Sequence, residues 1–343
     1  MAVTIHDVAR EANVSITTVS RVINGNYPVR KETKENVERV IKELGFIPNE
    51  TARSLITKKT RRVGILVPNI SNVFFSQIIE YIETLLLENG YSLIIHNTYG
   101  SPQREISILN HLGQQNVEGV LILDPCSENV KNNEYDLFIS KMQMLLVGGM
   151  CIDNKYDFIA YDERKGFCDA LQYLYGLGHR KIAFVRGQNS YSYDLKEAIY
   201  LDFLEKHNLN YNVVLRVKRG NRLSIVKDTE RESLKLLAKT DAPTAIFTCN
   251  ELMAAGVIRA IDFLKLKIPQ NLSLVSCDNT LIGEITKPKL TTIDLKQKEV
   301  SEKSVHLLLS KIRGEKLKIS QYTFNTSLVI RESCERIGAY EWK

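Results

Sequence analysis

The sequence predicts an α/β protein in which a small helical head precedes a larger body of two lobes, each with a doubly wound parallel sheet. Residues 1–62 hold 12 Lys and Arg against 7 Asp and Glu, so the first segment is strongly basic and the rest of the chain is nearly neutral. Apolar residues follow helical spacing in the first 45 positions, and after residue 62 short apolar runs alternate with amphipathic segments. The 343-residue length fits two or three domains.

The composition excludes several classes of protein. Hydrophobic residues make up 44% and charged residues 25% of the chain, which is typical of a globular protein. The six cysteines are widely spaced and form no CxxC pair, so we expect reduced thiols, no metal site and no cofactor. No GxSxG, GxGxxG, P-loop or HExxH motif occurs, and an enzyme is not expected.

Neither a secretory signal nor a membrane segment is expected. His6, Asp7 and Arg10 interrupt any apolar run at the start of the chain. The longest nearly uncharged apolar stretch, from Met142 to Ile152, is about half of the roughly 20 residues that span a bilayer. These features predict a cytoplasmic protein.

The head is predicted to contain three helices. Thr4 and Asp7 have the spacing of a capping box, so the first helix begins near residue 5 and ends near Asn13, a residue that tolerates left-handed backbone. Ser15 can cap the second helix, which presents Val19, Val22 and Ile23 to the core. A third helix is expected from Glu32 to Leu44, ending at Gly45.

The second helix has a polar face suited to the major groove of DNA. Thr17 and Arg21 lie four residues apart on the side opposite the apolar stripe. Arg21 can donate two hydrogen bonds to guanine O6 and N7, and Ile16 can contact a thymine methyl group. A compact helical unit that reads DNA is therefore predicted at the N-terminus.

The segments VTIHDVAREANVSITTVSRVINGN and LGFIPNETARSL resemble the DNA-binding head and hinge of the lactose-repressor/galactose-repressor (LacI/GalR) family of bacterial transcription regulators. The resemblance implies a helix-turn-helix domain at 1–46, a hinge helix at 47–61, and a homodimer on a pseudo-palindromic operator. It implies that Leu55 wedges into the minor groove and bends the duplex. The predicted DNA-contacting residues are Ser15, Ile16, Thr17, Arg21, Asn24, Asn49, Ala52 and Leu55.

The body shows two series of strand-like runs. The first comprises 63–67, 92–95, 119–123 and 145–148, and a second is expected to begin at Phe158 and to continue at 181–185, 213–217, 245–248 and 272–276. Helices are expected between them, and a ligand is expected at the carboxyl ends of the strands.

RVGILVPNISNVFF, LGHRKIAFVRG, TAIFTCNELMAAGVIRAI and LSLVSCDN also resemble the effector domain of that family, whose fold is that of periplasmic sugar-binding proteins. The resemblance implies an effector and dimerisation domain at 62–337. It implies an N-lobe at about 62–159 and 291–322 and a C-lobe at about 160–290 and 323–337, with crossings near 160, 290 and 323.

The residues expected to bind the effector are Phe74, Phe75, Lys196, Asn250 and Asp278. The two phenylalanines can stack on a sugar ring or simply pack at the start of a helix. Asn250 and Asp278 match family contact positions and offer groups for hydroxyls. Lys196 stands where the family usually has arginine, which slightly favours an anionic or larger glycoside effector over a standard hexose. Tyr191 and Tyr193 are either further stacking surfaces or plain loop tyrosines.

Two other functions remain open from the sequence. A catabolite-control-type regulator, which uses a phosphorylated protein as corepressor, would share every feature above. That branch usually has an arginine where this chain has His306, so a small-molecule effector is favoured. A solute-binding transport protein is a remote alternative, because it requires an export signal and lacks a basic helical head.

Overall fold

The computed structural model describes residues 3–25, 27–47, 59–149, 155–188, 190–218, 224–315 and 321–338. The chain divides into two compact units, Met1–Thr60 and Arg61–Lys343. We refer to them as the head and the body.

The head contains three described helices, α1 (Ile5–Glu11), α2 (Ile16–Asn24) and α3 (Lys31–Leu44). The predicted capping box of α1 is present, and the Ser15 side chain accepts a hydrogen bond from the backbone of Thr18 at the start of α2. Asn13 has φ 52° and Gly45 has φ 60°, so α1 and α3 are each followed closely by a residue with left-handed backbone. The head has its own small core, formed by Val8, Ala9, Ala12, Val19, Val37 and Val40.

The first sheet of the body has six strands in the spatial order β11-β5-β4-β3-β1-β2, and all its pairings are parallel. In chain order the strands are β1 (Arg62–Val67), β2 (Ser92–Asn97), β3 (Gly119–Leu123), β4 (Gln143–Gly148), β5 (Phe158–Asp162) and β11 (Gln321–Asn325). The central strand β3, GVLIL, is buried along its whole length, as expected of a parallel strand covered on both faces.

The second sheet also has six strands, in the order β12-β10-β9-β8-β6-β7. They are β6 (Ile182–Arg186), β7 (Val213–Arg216), β8 (Ala245–Thr248), β9 (Ser273–Cys277), β10 (Thr291–Asp294) and β12 (Ser327–Val329). Only β12, at the edge, runs antiparallel to its neighbour β10. The second sheet is therefore parallel except at this edge. The chain leaves the first sheet at the end of β11 and, after the single residue Thr326, enters the second sheet opposite Asp294, at the carboxyl end of β10.

Ten helices of the described chain surround these sheets. In chain order they are α4 (Val73–Glu88), α5 (Pro102–Gln114), α6 (Ser127–Lys131), α7 (Asp136–Ile139), α8 (Glu163–Gly176), α9 (Tyr191–Lys206), α10 (Ile225–Leu237), α11 (Glu251–Phe263), α12 (Leu281–Ile285) and α13 (Gln297–Ile312). None of the described helices is long and apolar enough to cross a membrane.

The chain crosses between the sheets later than the sequence suggested. β5, expected to begin the second series at Phe158, pairs with β4 and belongs to the first sheet. β10, which the sequence placed in the N-lobe from residue 291, pairs with β9 in the second sheet. The crossings therefore follow Asp162, Asp294 and Asn325. A short apolar run does not show which strand it pairs with, because buried strands of either sheet have the same apolar pattern.

Candidate functional site

The exposed side of α2 is the candidate DNA-binding surface of the head. Ser15, Thr17 and Arg21 are exposed, and Ile16 keeps 41% of its surface accessible. The Arg21 guanidinium lies 5.1 Å from the ring centroid of Tyr27, an exposed contact that sequence reasoning missed. Asn49, Ala52 and Leu55 lie outside the described residues, and so does the side chain of Asn24.

The positive charge of the described head is uneven. On α3, Lys31, Lys34 and Arg39 each pair with a glutamate one turn later. The helix α2 carries no acidic residue, and Arg21 forms no salt bridge with any described residue. The uncompensated charge of α2 therefore coincides with its polar face, where an anionic duplex is attracted.

All five predicted effector-binding residues line one cleft of the body. They come from different segments: Phe74 and Phe75 begin α4, Lys196 lies in the first turns of α9, Asn250 caps α11, and Asp278 follows β9. The other lining residues are Asn72, Asp124, Tyr161, Glu163, Ser190, Ser192, Tyr193, Cys249 and Leu295. The cleft thus lies at the carboxyl ends of strands from both sheets, where doubly wound sheets bind ligands.

An aromatic wall forms one part of the cleft. Phe74 and Phe75 meet edge to face with ring centroids 5.2 Å apart, and Phe74 meets Tyr161 in the same way at 5.9 Å. Both phenylalanines are about 95% buried, so they pack in the core and line the cleft at once. Tyr193 also lines it, whereas nothing is described of the Tyr191 side chain.

Lys196 is held by a buried ion pair. Its Nζ lies 3.0 Å from Glu163 Oε1 and donates to Ser192 Oγ at 3.1 Å, while Ser192 Oγ donates to the same carboxylate at 2.7 Å. Burial lowers the pKa of Lys196, but the Glu163 charge and the other acidic groups nearby together outweigh burial and hold that pKa well above its usual range. The ammonium is therefore already neutralised, which removes the basis for expecting an anionic effector.

Glu163 also limits which residue can stand at position 149. A side chain at Gly149 would begin 2.7 Å from the carboxyl carbon of Glu163, so this carboxylate fills the space beside Gly149. Glu163 and Asp124 were both missed. Asp124 directly follows the apolar run of β3, and the strand-end rule would have found it; Glu163 was missed because the preceding strand was assigned to the other sheet.

The turn that carries Asp278 is fixed by a second buried carboxylate. Glu251, at the first position of α11, accepts hydrogen bonds from the backbone of Thr280 at 3.0 Å and of Gly283 at 3.1 Å, and from the Thr280 hydroxyl. The amide of Gln297 donates to the Asp278 carbonyl. Asp278 has φ 105°, a conformation that the surrounding hydrogen bonds maintain.

Two carboxyl groups of the cleft have raised pKa values. Burial, with the nearby Glu251 charge, raises the pKa of Asp278 to about 8. Burial, with the Glu163 charge, raises the pKa of Asp124 to about 6. Among the described residues neither Asp124 nor Asp278 forms a salt bridge, so no direct ion pair offsets the effect of burial on these pKa values.

The stability of the unliganded protein is expected to fall as the pH rises from 7 to 8. In that window native Asp278 holds a proton that the unfolded chain has already released, so raising the pH favours unfolding, by up to about 1 kcal/mol across the unit. Urea unfolding of the wild type should show a lower free energy of unfolding at pH 8 than at pH 7. This pH dependence should be absent in Asp278→Asn. Asp262→Asn, an exposed change on α11, should keep the wild-type slope; an equal slope in Asp278→Asn would contradict the assignment.

Comparison with known proteins gives two family matches. Residues 4–49 match the model of bacterial regulatory proteins of the lacI family, and residues 171–334 match the periplasmic binding protein-like domain. The two matches correspond to the head and to the larger part of the body.

Full-length relatives and solved structures agree with these matches. The chain is 32% identical to catabolite control protein A of Priestia megaterium, over 92% of this chain and 94% of that protein. It is 30% identical to the HTH-type transcriptional repressor PurR of Histophilus somni (strain 2336), over 97% and 99%. A crystal structure of the lac repressor dimer bound to operator and the anti-inducer ONPF superposes with a TM-score of 0.83 at 26% identity, covering 98% of this chain and 100% of that one.

Proposed function

The chain belongs to the lacI family of bacterial regulatory proteins, and on that premise we propose that it is a cytoplasmic repressor whose operator affinity is set by a small polar metabolite. The observation that carries the proposal is the convergence of Phe74, Lys196, Asn250 and Asp278, from separate segments, on one cleft. An aromatic wall facing carboxyl and amide groups suits a sugar or sugar derivative. The protein acts by binding and not by catalysis.

The DNA target is a pseudo-palindromic operator read by a homodimer. One α2 helix reaches only a few base pairs, so two copies related by twofold symmetry are needed for a specific site. The lac repressor structure in the comparison is a dimer on its operator, which supports the same arrangement for this chain. The role of Leu55 as a minor-groove wedge remains a prediction.

Arg21→Ala is expected to weaken operator binding by about 1–3 kcal/mol and to relax base preference at one position in each half-site. The reason is the loss of a bidentate donor on a face with no second cation. Arg39→Ala is the matched control, because Arg39 is an exposed arginine of the same head that pairs with Glu43 on α3. Binding-site selection that returns the same preference for Arg21→Ala and wild type would contradict the assignment.

The effector function is tested by measuring operator affinity with and without each sugar that raises the melting temperature. A true effector must shift operator affinity, typically by about 1–3 kcal/mol, and operator DNA must shift effector affinity by the same factor. Asp278→Ala should retain operator binding and lose the response. A ligand that binds the cleft without altering operator affinity would refute the switch.

A phosphorylated protein corepressor is the second candidate, favoured by the 32% identity to catabolite control protein A. The relevant position is His306, which is exposed on α13. A histidine lacks the planar, bidentate donor group with which the arginine expected there pairs with phosphate. Operator binding that responds to a phosphorylated protein and to no sugar would favour this candidate.

A further inference from the structure

The cleft holds more acidic than basic groups. Three carboxyl side chains line it, those of Asp124, Glu163 and Asp278, against one ammonium, that of Lys196. Arg186, at the end of β6, is held by Asp194 and Glu197 on α9. No described cation is therefore left to balance Asp124 and Asp278.

One buried acceptor in the cleft is unsatisfied. Glu163 is 3% exposed, and its Oε1 receives Lys196 and Ser192, but its Oε2 has no hydrogen-bond partner among the described residues. A buried carboxylate oxygen without a donor is costly, and such an atom in a native protein requires an explanation, of which a bound ligand, ion or water is one. The unsatisfied atom calls for a donor from the ligand, not a further acceptor.

We propose that the effector is a polyhydroxylated molecule that carries a protonated amine, of the aminodeoxy-sugar class, with its ammonium group among Asp124, Glu163 and Asp278. This inference rests on the proposed function and specifies its ligand. An ammonium supplies three donors and a positive charge, and both match what the cleft lacks. The ring carbons of the sugar pack on Phe74 and Tyr161, which also attract a nearby cation.

A phosphate or carboxylate substituent fits this cleft poorly. It would add negative charge beside three carboxyl groups, while the only cation lining the described cleft is committed to Glu163. A neutral sugar would leave the excess of carboxyl groups unbalanced. Among common sugar substituents, the amine is the one that supplies both the missing positive charge and the missing hydrogen-bond donor.

Binding of an ammonium has a measurable proton signature. In the unliganded cleft Asp278 faces Glu251, Lys196 and Glu163, and its pKa of about 8 keeps it mostly protonated at pH 7. Asp124 faces Glu163, Lys196 and Glu105. A ligand cation lowers the pKa of both carboxyls, so binding at pH 7 should release on the order of one proton.

The test is calorimetry on the full chain at pH 7 in phosphate and in Tris, whose ionisation enthalpies differ. The probes are matched sets in the gluco and galacto series: hexose, 2-amino-2-deoxyhexose and hexose 6-phosphate. In one series the amine should bind about tenfold or more tighter than the neutral sugar. Its binding enthalpy should also change with buffer because protons are released.

Asp278→Asn should abolish most of the tenfold preference for the amine and reduce proton release. Asp262→Asn, which is exposed on α11, should leave both unchanged. Tighter binding of the phosphate, or amine binding without proton release, would overturn the proposal.

Failure of this inference is distinguishable from failure of the proposed function. If a neutral hexose shifts operator affinity and the amine is not bound more tightly, the amino-sugar proposal is wrong. The proposed control of operator affinity by an effector then remains supported. If none of the probes binds, the inference is overturned. If a probe binds and operator affinity never responds, the switch is overturned instead.

Discussion

Lys196→Met is expected to lower the free energy of unfolding by about 3–5 kcal/mol, because it leaves Glu163 as an uncompensated buried charge. The two side chains are only 5% and 3% exposed and lie 3.0 Å apart. Methionine fills nearly the same volume, so the effect comes from charge and not from a cavity. Urea unfolding measures the difference.

Two further variants isolate the cause. Lys206→Met, on the same helix, removes an exposed pair with Asp202 and should cost less than about 0.5 kcal/mol. The double variant Lys196→Met/Glu163→Gln removes both charges and should recover most of the lost stability. A double variant no more stable than the single one would argue against the buried-charge explanation.

Phe167→Ala is expected to cost about 3–5 kcal/mol, the range for truncating a fully buried aromatic side chain. Phe167, on α8, is 0% exposed and stacks on Phe247 at 4.2 Å with an interplanar angle of 16°, while its edge contacts Phe184 at 5.4 Å. These rings fix α8 to the second sheet. Denaturant unfolding of Phe167→Ala against wild type gives the magnitude.

The same substitution should weaken effector binding, because α8 begins at Glu163 in the cleft. Gln172→Ala, an exposed change on the same helix, is the control and should affect neither stability nor binding by more than about 0.5 kcal/mol. Undiminished effector affinity in a folded Phe167→Ala protein would show that α8 does not position the cleft.

Much of the candidate site followed from one rule. A ligand was expected at the carboxyl ends of the strands, and Asn250 and Asp278, which also match family contact positions, do follow strands and line one cleft. The rule works because parallel strands place all their carboxyl ends at one edge. The same rule reaches Asp124, which was overlooked because no resemblance drew attention to it.

The chain sequence alone determined the head and the positions of the strands. Thr4, Ser15 and Asn13 act on backbone groups within three or four residues, and a strand shows its burial in its own apolar run. Such features need no knowledge of distant parts of the chain.

Only the tertiary structure showed that the strand beginning at Phe158 belongs to the first sheet. It also showed which charged groups line the cleft. Lys196 looked like an anion-binding group until Glu163, 33 positions earlier, was found against it. The raised pKa of Asp278 depends on its burial and on Glu251, which comes from another strand end. Desolvation and charge pairing are set by neighbours in space, and a sequence specifies those neighbours only through the completed fold.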